Sequence, residues 1–212
     1  MTQLFSVVPP RLPAAPQQYE TRFHDQHSDV LRLYFNQIGG NVNALTGTRG
    51  GQYLNFPYAA IQRTTDKTFV ANTATQITFD ENDFLNGCEN DGTDGIRVQQ
   101  SGIYNYQFSV QLQNTASQIH SAWIWLRINN FDVAGTGSKF DVISSHGGLP
   151  GYIIAACNFY VQLNANDTVE MWAAANNTAV TFDATAAQTS PFPMPSIPSV
   201  VATLSFVSSI LP

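Results

Sequence analysis

Charge is what this chain has least of. Asp, Glu, Lys and Arg together make up 11% of its 212 residues, against about 25% in an average soluble domain. The nine basic residues stand singly and are outnumbered by fifteen acidic ones, for a net charge of −6. With no Lys/Arg cluster to neutralise phosphates, nucleic acid is excluded as an expected partner. No apolar run approaches the roughly 20 residues that a helix needs to cross a bilayer, so membrane insertion is not expected. There are two cysteines, Cys88 and Cys157, too few for a disulfide framework. Leu4-Phe5-Ser6-Val7-Val8 is too short for a secretory leader and has no basic residue ahead of it. Without export, the two thiols are expected to be reduced.

Chemical motifs are equally scarce. Asp80, Glu81, Asp83, Glu89, Asp91 and Asp94 lie close together in sequence, but their spacing matches no calcium-loop pattern. His24 and His27 are three apart without a third ligand nearby, and His120 and His146 lie in no metal or nucleophile motif. The carboxylate pair of a glycan-cleaving enzyme commonly sits on longer, repetitive β-helical chains, and no internal repeat is present. The expectation is no enzyme, no cofactor and no metal.

What replaces charge is Asn, Gln, Ser and Thr, with an ordinary apolar fraction of 43%. A neutral polar surface of this kind points to contact with other copies of the chain. Pro9, Pro10, Pro13 and Pro16 exclude helix and favour an extended N-terminal arm. From Ser28 the period changes. Leu31, Phe35, Ile38, Val42 and Leu45 are spaced 4, 3, 4, 3, a 3.5-residue repeat that predicts a helix capped by Ser28. Two readings of this stripe stand side by side: a short trimeric neck, or a helix that ends at Gly39 and packs on its own domain. Thr46–Gln52 reads as a flexible joint. The expected division is therefore 1–50, an arm and helical neck for attachment and trimerisation, and 51–212, a head.

The head reads as strands throughout. Period-two alternation and turn residues predict strands at 59–64, 76–79, 95–98, 102–112, 121–128, 140–144, 151–163, 167–174 and 200–209. The turns are marked by Asn90-Asp91-Gly92, Asn129-Asn130, Gly135-Thr136-Gly137, His146-Gly147-Gly148 and Asn164-Ala165-Asn166-Asp167,. No helical stretch interrupts them, which excludes βαβ units and leaves two antiparallel sheets. Tyr104, Tyr106 and Phe108 share one strand face, as do Trp123 and Trp125. Trp123 and Trp125 are expected in the core or at an interface between subunits, and for all five an interface is preferred over a ligand site. Tyr152 and Phe131, near turns, are candidates for a sugar or protein contact.

Gly102-Ile103-Tyr104-Asn105-Tyr106-Gln107-Phe108-Ser109-Val110, then Leu163, Asp167 and Val169, then the closing strand Ile197–Val207 resemble in order the jelly-roll domain of the complement globular heads and tumour necrosis factor. Trp123–Asn129 is similar to that family's central aromatic strand. Asp29–Gln37, followed by Pro57-Tyr58-Ala59, Thr64-Thr65-Asp66, Ile77–Asp80, Asn86-Gly87 and Gly102-Ile103-Tyr104, resembles virion proteins of tailed, cyanobacterial-type phages. The resemblance implies an all-β, antiparallel jelly-roll sandwich, homotrimeric, with aromatic residues of one sheet at the threefold axis. It further implies a non-enzymatic virion protein assembled in the host cytoplasm. The arm would bind other virion proteins of tail or capsid, and the head a host surface glycan or protein. Placement as a short fibre or as a capsid decoration or head fibre stays open. A secreted recognition domain would instead show a leader and a Gly-X-Y stalk.

Overall fold

The structure is a computed structural model, and it describes residues 7–14, 16–46, 56–90 and 95–209. The predicted joint at 46–52 and the residues Asp91, Gly92 and Asp94 fall largely or wholly outside these. The chain separates into two compact units, 1–55 and 56–212.

In the first unit, residues 7–14 and 16 have no regular secondary structure, as four prolines dictate. They lead to one helix, α1 (Thr21–Thr46). It begins a full seven residues before Ser28, with the Glu20 carbonyl accepting the amides of Phe23 and His24 at 3.1 and 3.4 Å. Ser28 is therefore interior and caps nothing. The helix also runs through Gly39-Gly40 rather than ending there. Two glycines cost about 1 kcal/mol each relative to alanine, and the 26-residue length outlasts that local penalty. Phe35, Val42 and Leu45 of the 3.5-residue stripe are exposed, and Leu31 and Ile38 are half-buried.

The second unit is all-β. Its strands in chain order are β1 (Tyr58–Arg63), β2 (Lys67–Thr68), β3 (Thr75–Ile77), β4 (Glu81–Asn86) and β5 (Cys88–Asn90). Next come β6 (Ile96–Val98), β7 (Gly102–Asn114), β8 (His120–Ile128), β9 (Phe131–Asp132) and β10 (Ser138–Val142). The last are β11 (Gly151–Leu163), β12 (Thr168–Ala175), β13 (Val180–Phe182) and β14 (Val200–Ser208). They form two seven-stranded antiparallel sheets. In the first, β11 pairs β7 over thirteen residues, β14 lies between β7 and β1, and β4 flanks β1. In the second, β8 lies between β10 and β12, with β3, β5, β6 and β9 at the margins.

Alternation builds the core. β7 buries every second residue from Gly102 to Asn114, and its Tyr104, Tyr106, Phe108, Val110 and Leu112 meet Ile124, Leu126 and Met171 of the second sheet in one cluster. Each large side chain so buried contributes about 1.5–3 kcal/mol. Edge-to-face ring pairs add to this, Phe69 with Phe182 at 4.9 Å and Tyr104 with Phe206 at 5.5 Å,. Gly102 opens β7 because a Cβ there would come within 2.4 Å of the Phe206 ring. Asn residues make the turns: Asn129, Asn130 and Asn166 adopt left-handed backbone, and the Asp167 carboxylate accepts the Asn164 amide at 2.7 Å,.

The acidic stretch holds two strands, β4 and β5, that no period-two alternation marks. β4 has almost every residue exposed, so it shows no alternation. It is held by pairing with β1 across an irregularity at Ala60/Ile61.

Candidate functional site

The candidate interface residues separate into three places. Tyr104, Tyr106 and Phe108 lie inside the single chain, 0%, 0% and 3% exposed, and this corrects their assignment to a subunit axis. A side chain already enclosed between two sheets has no surface left for another copy. The Tyr104 hydroxyl donates to the Gln100 carbonyl at 2.7 Å, and burial, then the neighbouring Cys88, push its pKa up to about 12. Burial also raises Tyr106, whose hydroxyl has no hydrogen-bond partner. The thiols are free, Cys88 buried and pushed up to about 11 by that burial, and Cys157 within 3.3 Å of the Ser138 hydroxyl.

The opposite side of the same strands is the outer face of the first sheet. Register places Ala156, Ser109 and Val201 in one cross-strand row, and Asn158, Gln107 and Thr203 in the next. β7, β11 and β14 contain no Asp, Glu, Lys or Arg at all. Their outer side chains are amides, hydroxyls and exposed apolar groups, including Tyr152, Ile154, Tyr160 and Val207. An open trough of about 510 Å3 runs between Ala156, Asn158, Gln107 and Thr203. A second, of about 350 Å3, is bounded by Tyr152, Ile154 and Asp183. Asp183 marks the charged margin, and burial, then Asp66, raise its pKa. Nine residues of three strands span about 30 Å by about 14 Å, about half of one partner's share of a standard protein interface, about 800 Å2.

The outer face of the second sheet is its chemical opposite. All three tryptophans of the chain are on it: Trp123 and Trp125 on β8, and Trp172 directly across from Trp125 on β12. Three ion pairs lie among or beside them: Arg127–Asp132 at 2.6 Å, Lys139–Asp141 at 3.0 Å, and Arg97–Glu89. The Arg127 guanidinium sits 3.8 Å from the Trp172 ring centroid. Asp132 Oδ1 accepts both Arg127 Nε and, at 2.7 Å, Trp125 Nε1. Those hydrogen bonds hold its carboxyl below the usual range. Glu170, 3% exposed, accepts the Asn130 amide at 2.7 Å and Trp172 Nε1 at 2.8 Å. Two of the three indoles are thus fixed in orientation, while Trp123 is 37% exposed.

The remaining candidates do not converge. Asp80 accepts Thr64 and Thr65, and these bonds outweigh burial to hold it below its usual value. Asp83 accepts Gln62, and Glu89 accepts Arg97 and Gln99. On α1, His24 meets Phe23 edge to face at 5.4 Å and His27 lies tilted against it at 5.9 Å. Among the described residues no three His, Cys, Asp or Glu side chains form a metal-binding group. Phe131 is exposed beside the tryptophan face, and Tyr152 hydrogen-bonds Gln113 on the other.

Sequence reasoning missed Trp172, Arg127 and Asp132 as one constellation, because cross-strand pairing joins them. It also missed the neutral face, whose signal was available in three long strands without a charge. No protein-family model matches the chain, and no curated protein matches it significantly.

Proposed function

We propose that this chain is a non-enzymatic structural protein of a tailed-phage virion, a homotrimeric short fibre or appendage that contributes to host-surface adhesion. The observation that carries the reading is the coexistence of two surfaces suited to association between copies of the chain. One is the apolar stripe Leu31, Phe35, Ile38, Val42 and Leu45 of a 26-residue helix. The other is the charge-free outer face of β7, β11 and β14. Isolated helices of such composition are marginal in water, and an exposed 3.5-residue stripe gains by association with its own copies. The neutral face has no charge to desolvate, which removes the largest cost of burial between proteins.

In this reading the helices set the threefold register and the β domain is a jelly-roll head. Its copies meet through the row Ala156, Ser109 and Val201. The proline-rich arm, with Pro9, Pro10, Pro13 and Pro16, attaches the trimer to tail or capsid proteins. Three heads on one stalk multiply weak contacts with a host surface glycan or protein into useful avidity.

Sedimentation equilibrium tests the assembly. The expected mass is three times the 23.2 kDa chain, and a monomer at micromolar concentration overturns the trimer. Gold-labelled antibody on purified particles tests the place. Label at the tail is expected, label over the shell replaces the appendage by a capsid decoration or head fibre, and unlabelled particles overturn both.

A further inference from the structure

The tryptophan face is not needed for the trimer just described, and its ion pairs argue against burial under a flat protein partner. Interface cores between proteins are depleted of charge. Here Arg127–Asp132 and Lys139–Asp141 are interleaved with the indoles at the spacing of single side chains. A flat protein surface laid over them would have to desolvate both pairs.

We propose that the outer face of the second sheet is a carbohydrate platform for an uncharged hexose polymer, with the exposed Trp123 indole as its stacking surface and Trp125, Arg127, Asp132 and Lys139 as its polar surround. A pyranose ring offers a slightly positive C–H face and an edge of hydroxyls. The first complements the negative face of an indole, and the second hydrogen-bonds with carboxylate, guanidinium and ammonium groups without displacing them from water. Charge decides the class of sugar. Both cations beside the indoles are already matched, Arg127 with Asp132 and Lys139 with Asp141, so the face has no spare positive charge for an acidic polysaccharide. It is also pre-formed: the hydrogen bond to Asp132 fixes Trp125, and the bond to Glu170 and the Arg127 stack fix Trp172. Little ordering of that surround is left to oppose binding, and the Lys139 ammonium lies 5.9 Å from the Trp123 ring centroid. The inference rests on the adhesion reading and names its ligand.

Because every tryptophan of the chain lies on this face, intrinsic fluorescence reports on it directly. The full-length protein is titrated with laminarin, mannan, dextran and galactan, and with alginate as an acidic comparison. A saturable change with at least one neutral polysaccharide is expected, insensitive to added salt. Trp123→Ala should weaken it by about tenfold or more, and Asp132→Asn should weaken it with the indoles still in place. No response to any neutral polysaccharide overturns the platform. So does a response confined to alginate and abolished by salt. If Trp123→Ala instead changes the sedimenting mass, the face is a subunit interface and the proposal falls. Sugar binding by a protein absent from particles would leave the platform standing and sink the virion role, so the two failures are distinguishable.

Discussion

The two outer faces of the head are built from the same kind of strand and differ in almost everything else. On the first sheet, β7, β11 and β14 carry no charged residue, and the surface is Gln, Asn, Ser, Thr and exposed apolar groups. On the second, three tryptophans share the surface with three ion pairs. The contrast shows how one low-charge chain spends its few charges. They are absent from β7, β11 and β14, where desolvation would penalise association, while Arg127, Asp132 and Glu170 orient indoles. A low overall charge is therefore the average of a neutral face and a charged one, and each half states its own purpose.

The contrast breaks most sharply by moving charge. Ala156→Arg puts a guanidinium at the centre of the neutral face, where an unpaired buried charge costs on the order of 3–5 kcal/mol. The trimer should dissociate in sedimentation runs, whereas Trp123→Arg on the other face should leave it intact. Dissociation by both variants, or by neither, would end the division of labour between the faces.

Glu170 tests how far the aromatic face is fixed from below. Glu170→Ala leaves the Asn130 amide and the Trp172 indole N–H without their acceptor, at a cost of about 1–3 kcal/mol. Urea unfolding should show that loss together with a changed Trp emission in the folded state. A variant as stable as the parent would show that the carboxylate is dispensable.

A smaller gain is expected in the helix, whose stripe would share the interface with the neutral face. Gly39 and Gly40 have open space where a Cβ would go, so replacing both by Ala should stabilise α1 by about 1 kcal/mol each. Circular dichroism during melting should record it as later loss of helical signal.

The smallest effect is in acid. Hydrogen bonds from Arg127 and Trp125, from Ser121 and Lys139, and from Arg97 and Gln99 hold Asp132, Asp141 and Glu89 below their ordinary range. Their contribution is complete above the unfolded value and lost as pH falls through the folded one. Asp183, at the margin of the neutral face, is raised, so its cost is present at high pH and relieved as pH falls. Acidification below about pH 4 should alter Trp emission while the trimer persists; dissociation before any emission change would reverse the assignment. These carboxylates are exposed, so the accompanying stability change is small.

Much of this was legible in the sequence, and the misses have physical causes. Strands with one buried face declare themselves, as β7, β8, β11, β12 and β14 do, and β11 was read to both ends. β4 was missed because both its faces are wet, and β13 because three residues carry no period. The heptad stripe was visible and the helix start was not, since backbone bonds to Glu20 set it. Alternation gave Tyr104, Tyr106 and Phe108 a common side. Assigning that side to an axis overlooked that the apolar face of a half-buried strand first covers its own core. The tryptophan face needed register, which joins Trp125 to Trp172 across 47 positions that no local pattern spans.

The place of β14 sets a timetable. It lies between β7 and β1, so the first sheet stays in two parts until residues 200–208 have been synthesised. β1 (Tyr58–Arg63) and β4 (Glu81–Asn86) are made early and wait for β14 (Val200–Ser208), more than a hundred residues later. The neutral face does not exist as a surface until that last strand is inserted. In the proposed trimer, subunits would therefore finish folding before they recognise one another, and a nascent chain on a crowded ribosome has no completed face with which to capture its neighbour.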